Sequence, residues 1–261
     1  MSNFDENLTP VLYRATNADL APLVGYIMKG NISERLSNND LYKREAPVHT
    51  KYVGLIEREI RQFGGNSFLN LFRDSGPPYY EIVCDVADKL GANYNKESSI
   101  AEVESAIMLR IMSQSWEKMN DEERQVFLKE MGLGSGVGSL PKALPVAAIQ
   151  VAISSTGFLA YRIAVIVANA VARQVLGSGL TLAANAAITR SIAVFAGPIG
   201  WAITGIWTAV DLAGPAYRVT TPCVVHIAML RQQYAQKYCA KCSAPYTSEA
   251  KFCQSCGASL S

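Results

Sequence analysis

The chain has 261 residues, 49% hydrophobic and 18% charged, with a formal net charge of +2, which is enough length to bury a substantial core in one large domain or two ordinary ones. The charge is unevenly placed: residues 1–140 carry 15 Lys and Arg against 20 Asp and Glu, whereas residues 141–261 carry 9 against 2. An acidic first half and a second half with few, scattered cations exclude a phosphate-tracking groove, so no nucleic-acid partner is expected; the polar opening MSNFDENLTP lacks the basic and apolar regions of a secretion signal, so the expected location is the cytoplasm.

Residues 1–131 read as an acidic domain of short helices. In TNADLAPLVGYIMKG, Asn17 is the expected cap and Gly30 the stop; in PVHTKYVGLIEREIRQFGG, Tyr52, Leu55, Ile56, Ile60 and Phe63 recur at helical spacing before Gly64 and Gly65. DSGPPYYEIVCDVADKLG places prolines in a first turn and Gly91 just past the end. Ser99 with Glu102 and Asn120 with Glu123 form capping-box patterns, ahead of the apolar sets Val103, Ile107, Ile111, Trp116 and Val126, Phe127, Met131. Nothing alternates over enough residues to make a sheet, so the expected class is mainly α.

GLGSGVGSLPK, residues 132–142, is the clearest boundary. Its glycines miss the G-x-G-x-x-G spacing in every register and no Lys-Ser or Lys-Thr pair follows, so it reads as a linker and not as a phosphate loop.

Residues 143–234 read as an apolar helical region. Only Arg162, Arg173, Arg190 and Asp211 are charged between Ala143 and Tyr217, and helices are expected over 146–175 and 191–213, with a shorter one from Ser178. SIAVFAGPIGWAITGIWTAV, residues 191–210, holds no charge and has two faces: Ala196, Gly200, Thr204 and Thr208 beside Ala193, Gly197, Gly205 and Ala209, against Phe195, Ile199, Ile203, Trp207 and Val210. The small face suits close helix packing, in lipid or in a soluble core. The bulky residues of this stretch favour insertion by about 2 to 4 kcal/mol in total, a marginal span. In residues 146–172, Arg162 at mid-bilayer opposes it by roughly 2.5 to 3.5 kcal/mol. Residues 146–172 and 191–210 are therefore the candidate membrane contacts, and a protein partner or homo-oligomer is the competing use of the same surfaces.

The tail CAKCSAPYTSEAKFCQSCGASLS pairs Cys239 with Cys242 and Cys253 with Cys256, two C-x-x-C knuckles separated by ten residues. Two such knuckles facing each other satisfy the tetrahedral preference of zinc, and four thiolates close its coordination sphere, so one structural Zn2+ per chain is expected in a ribbon spanning 239–260, with a redox pair of dithiols and an iron site as the alternatives. Gly257 fits the left-handed turn after the last cysteine, and Phe252 is placed to cover the site. Cys84, Cys223, His49 and His226 remain as further chemistry; Thr221 as cap and Pro222 as first helical residue would put Cys223 and His226 on one helical face, a geometry open to a thiolate–imidazole pair but more often structural.

The blocks GPIGWAITGIWTAVDLAGPAYRVTTPCVVHIAMLR, QFGGNSFLNLFR, YYEIVCDVADKLG and WEKMNDEERQVFL resemble the bacterial YaaW-like family, often labelled as ubiquinol-cytochrome c chaperone family proteins, from about residue 40 to about 231. The resemblance implies a mostly helical protein to which the ribbon is added, and it carries over no catalytic residues. The expected function is a non-enzymatic, membrane-associating helical protein at the cytoplasmic face of the inner membrane, a stress or defence effector with the ribbon as a docking knob. The alternative is a soluble chaperone or assembly factor whose apolar helices take a client or a second copy. An enzyme built on Cys223 and His226 ranks third.

Overall fold

The computed structural model describes residues 4–30, 34–64, 76–130, 157–181, 200, 203–205, 208, 215–239, 241–242, 245–246, 251–253 and 256–260. The described part is mainly α, as the sequence implies, with a small cysteine-bearing unit at the C-terminal end. The Gly-rich stretch 132–142 and residues 146–156 of the first apolar helix lie outside the described residues.

Helix α1 (Thr9–Arg14) has proline in its first turn, and α2 (Asn17–Lys29) opens on a capping box. The cap is Thr16 and not Asn17: the Asp19 N–H donates to Thr16 Oγ1 at 3.3 Å, and the Thr16 N–H donates to Asp19 Oδ2 at 2.9 Å. Asn17 is instead the first helical residue, and its amide Nδ2 donates to the Pro47 carbonyl at 3.1 Å, so it ties α2 to the loop before the next helices. Short helices α3 (Glu34–Asn38) and α4 (Asp40–Glu45) and a 3-10 turn (His49–Tyr52) lead into α5 (Val53–Phe63). Both capping boxes expected further along form: Ser99 and Glu102 start α7 (Ile100–Lys118), and Asn120 and Glu123 exchange two bonds of 2.9 Å at the start of α8 (Asp121–Glu130). On α8, Phe127 and Leu128 enter the core, while Val126, grouped with them in sequence, is 40% exposed.

Helix α6 (Tyr79–Leu90) starts after both prolines and not with them in its first turn, and Pro78 at the cap position has no side-chain acceptor to offer. The missing acceptor comes from far away in sequence, where Asp5 Oδ2 takes the Tyr79 N–H at 2.7 Å while its Oδ1 takes the N–H groups of Asn7 and Leu8. At the other end Gly91 closes the helix at φ 67°, as expected. Just before α6, Gly76 sits at φ 71° with the site of a Cβ only 2.5 Å from the Arg61 carbonyl oxygen. Gly76→Ala is expected to cost about 1–3 kcal/mol, read as a fall in the denaturant midpoint. Gly177→Ala, also at positive φ but with no described atom within 4 Å, should cost less.

Helix α9 (Gly157–Leu176) and α10 (Pro215–Ala235) form the most extensive helix pair, and α10 also touches α1, α2, α5, α6 and α7. The sequence divides into acidic and apolar halves by composition, yet Leu8, Ile56, Val83, Ile107, Val165 and Val224 all belong to one core cluster. That central position corrects the expected start at Thr221 and Pro222. The helix begins at Pro215 and runs through Pro222, because packing on several sides outweighs the one backbone bond that proline removes. Cys223 and His226 do share this helix, but deep inside it.

One other apolar expectation changes. No helix starts at Ser178; Gly177 ends α9 and residues 178–181 form a loop, held by Leu180 N–H donating at 2.9 Å to Oδ1 of the buried Asn169. In the uncharged stretch, residues 200, 203–205 and 208 are helical, with Ile203 1% exposed while Thr204, Gly205 and Thr208 face outward. A Cβ built on Gly200 or Gly205 meets no described atom within 4 Å; Ala193, Ala196, Gly197 and Ala209 of the same face, and residues 191–199 of the expected helix, lie outside the described residues. The Thr204 and Thr208 hydroxyls donate to the carbonyls of Gly200 and Thr204, at 2.9 and 3.1 Å.

Candidate metal centre

The tail folds as two small antiparallel units, each presenting one C-x-x-C pair. Strand β1 (Lys237–Tyr238) pairs with β2 (Pro245–Tyr246), Lys237 opposite Tyr246, with Cys239 and Cys242 in the turn between them. In the second unit Phe252 bridges Ser259, the Cys253 N–H donates to the Ala258 carbonyl at 2.8 Å, and the Leu260 N–H to that of Lys251 at 2.9 Å. Gly257, at φ 69°, lets the chain reverse directly after Cys256, and its N–H closes the knuckle on the Cys253 carbonyl at 2.8 Å.

Folding the two turns together brings the Sγ atoms of Cys239, Cys242, Cys253 and Cys256 within 4.8 Å of one another. Four thiolates around zinc at about 2.3 Å stand about 3.8 Å apart along each tetrahedral edge. The two cross-unit edges, Cys239 to Cys256 at 3.8 Å and Cys242 to Cys253 at 3.5 Å, match that size. Backbone N–H groups of Cys242 and Lys241 donate to the Cys239 sulfur and pull its thiol below the ordinary range, the electrostatics a thiolate ligand needs. Cys239 and Cys253 are buried, Cys256 is half-buried and Cys242 is exposed. Phe252 does not cover the site as its position beside Cys253 suggested: it stands 64% exposed.

The remaining candidates go elsewhere. Cys223 is fully buried, and desolvation pushes its thiol far up, away from the thiolate form. His226 Nε2–H donates to the Asp19 carbonyl at 2.9 Å, which leaves the neutral ring with Nδ1 as a buried acceptor lacking any hydrogen-bond partner among the described residues. Burial lowers its pKa to about 4, so the thiolate–imidazole pair has neither its anion nor its cation. His49 Nδ1 and Tyr52 Oη share a hydrogen bond beneath Tyr42, and Cys84 is half-buried on α6.

A buried ionic cluster was not legible in sequence. Arg231 on α10 donates to both oxygens of Glu104 on α7, at 2.7 and 3.2 Å, and to the Asn7 carbonyl at 2.5 Å; Tyr79 Oη donates to Glu104 at 3.2 Å. Asp5, Glu57 and Arg61 extend the cluster, with Thr9 Oγ1 donating to Glu57 at 2.8 Å. Its partners are 127 and 224 residues apart, too far for any local pattern to reveal.

These features define a mainly helical protein with a C-terminal cysteine ribbon, and residues 238–260 match the family model described as a zinc-ribbon domain. Similar proteins extend over most of the chain. A UPF0174 protein of Helicobacter pylori strain J99 is 39% identical over 230 residues, covering 86% of this chain and 90% of that protein. A UPF0174 protein of strain 26695 is 39% identical over 209 residues, covering 79% and 100%, and the UPF0174 protein YaaW of Escherichia coli K12 is 31% identical over 222 residues, covering 82% and 88%. The chain belongs to the UPF0174 family, with a zinc ribbon at its C-terminus. No solved structure matches it.

Proposed function

We propose that this chain is a non-enzymatic assembly protein of the cytoplasm, whose helical body associates with a second copy through the outward positions Thr204, Gly205 and Thr208 and whose ribbon is a docking knob stabilised by one structural zinc. The observation that carries the association is the character of that face. A helix exposed to water normally displays charges, but residues 191–210 have none, and the outward positions are Thr204, Gly205 and Thr208. With their hydroxyls already bonded to the helix's own carbonyls, the threonines offer little more than methyl groups. Such a surface is flat enough for another helix to approach closely, and it is self-complementary across a two-fold axis.

The same arrangement disfavours lipid as the first reading. The residues that would drive insertion are the bulky ones, and Ile203 is committed to the interior. One observation keeps membrane association as the second reading: Leu159–Leu176 is long and apolar enough to span a bilayer, with mean hydropathy 1.4, although 67% of that window is buried within the molecule. Sedimentation of the full chain at micromolar concentration should give a dimer, and Thr204→Arg, placed on the exposed face, should give a folded monomer. A wild type that stays monomeric and floats with vesicles would replace the assembly reading by the membrane one. Ile203→Asn serves as the control for the inner face, with a loss of about 2–4 kcal/mol in unfolding free energy expected because the amide enters a dry core.

A further inference from the structure

We propose that the ribbon is an oxidation-sensitive site, in which a peroxide-class oxidant joins Cys242 to Cys253 across the two hairpins and so displaces the zinc. This rests on the zinc-bound reading of the ribbon. Three features of the site carry it. Cys242 is exposed while Cys239 and Cys253 are buried, so an oxidant from solvent reaches Cys242 first. Its sulfur lies 3.5 Å from Cys253 Sγ, a cross-hairpin neighbour at contact distance. The alternative partner inside its own knuckle, Cys239, also interacts with Cys242, but its sulfur accepts from the backbone N–H groups of Lys241 and Cys242 and faces Cys256 at 3.8 Å, so the cross-hairpin neighbour at 3.5 Å is the partner the geometry offers Cys242.

The step balances with peroxide alone. The Cys242 thiolate attacks one peroxide oxygen and leaves as a sulfenic acid with release of hydroxide; the Cys253 thiolate then attacks the sulfenic sulfur, forms the S–S bond and expels the second hydroxide. Two thiolate sulfurs are each oxidised by one electron, and the peroxide is reduced by two. With two ligands consumed, Cys239 and Cys256 cannot hold the ion alone, and their sulfurs, 3.8 Å apart, are placed to form a second cross-link with another equivalent of oxidant. Because both bonds would join the hairpins and leave each knuckle intact, the oxidised ribbon keeps its two-hairpin fold after the metal has gone. The metal-free reduced ribbon, without either tie, unfolds.

Trypsin separates the possibilities, since Lys241 and Lys251 divide the tail into YCAK, CSAPYTSEAK and FCQSCGASLS. The zinc-loaded full chain is treated with hydrogen peroxide, released zinc is followed with a chromogenic chelator, and the digest is mapped by mass spectrometry without reduction. The expected result is loss of the one bound zinc together with a CSAPYTSEAK–FCQSCGASLS cross-link whose fragments assign it to Cys242 and Cys253. A link from YCAK to CSAPYTSEAK, a bond closed within FCQSCGASLS, or full retention of zinc would overturn the inference. A brief iodoacetamide pulse on the untreated chain should label Cys242 ahead of Cys239 and Cys253, and even labelling would count equally against it. If the untreated chain holds no zinc, the failure lies with the zinc-bound reading and not with the pairing.

Discussion

Glu104→Ala is expected to destabilise the chain by about 3–5 kcal/mol, because it strips a largely, though not fully, buried guanidinium, 20% exposed, of its nearest counter-charge. Glu104 is 2% exposed, and its two oxygens receive Arg231 and Tyr79. Burial raises its pKa even against the neighbouring guanidinium, which means that the cost of desolvating the pair is large. Removing the carboxylate leaves Arg231 with the Asn7 carbonyl and the more distant Asp5, so the fold bears the desolvation with little Coulombic return. Arg231→Met should be milder, because Glu104 can take up a proton, whereas the double variant Glu104→Met, Arg231→Met should recover most of the loss. Chemical denaturation of wild type, Glu104→Met, Arg231→Met and the double variant closes a cycle that measures the coupling. A double variant as unstable as the sum of the singles would show that the two side chains do not act as a pair.

The second large effect is a dependence on pH carried by His226. Burial lowers its pKa to about 4 in the fold, against 6.5 in the unfolded chain. As pH falls below 6.5 the unfolded chain takes up the proton first, so the stabilisation is complete above that value and is lost progressively until the folded pKa is reached. The loss amounts to about 3 kcal/mol. Protonation would place N–H on Nδ1, which has no acceptor among the described residues, with Tyr26 standing edge-on to the ring. Glu57, Glu59 and Glu104 have raised values, again chiefly from burial, and act in the opposite direction, favouring the fold as pH falls. Comparing unfolding free energies of wild type and His226→Leu between pH 7.5 and pH 4 cancels those carboxyls. The wild-type curve should fall more steeply, by up to one proton, and parallel curves would contradict the assignment.

What the sequence made legible was local. The capping boxes at Ser99 and Asn120 and the glycine stop at Gly91 depend on residues within one turn, and each forms as written. The two C-x-x-C pairs were legible for the same reason, since a knuckle is a four-residue object and only the meeting of two of them needs tertiary structure. The failures are equally physical. Thr16 and Asn17 are both good caps, and what decides between them is the reciprocal bond from Asp19. Pro222 is a strong local start signal, overruled because α10 is surrounded by other helices. In the uncharged stretch the periodicity defines two faces but not which one meets the core; among the described positions Ile203 is buried while Thr204, Gly205 and Thr208 are exposed. Asp5 capping α6 and Arg231 pairing with Glu104 lie 74 and 127 residues from their partners, where pattern carries no information.

A closed site of four cysteines around one structural zinc is the central claim, and X-ray absorption at the zinc edge on the purified full chain tests it most directly. The predicted result is one zinc per chain with a first shell of four sulfurs at about 2.3 Å and no nitrogen or oxygen ligand. A shell with a light-atom ligand, which would mean an open coordination position, or substoichiometric zinc in a chain whose cysteines are all reduced, would contradict it.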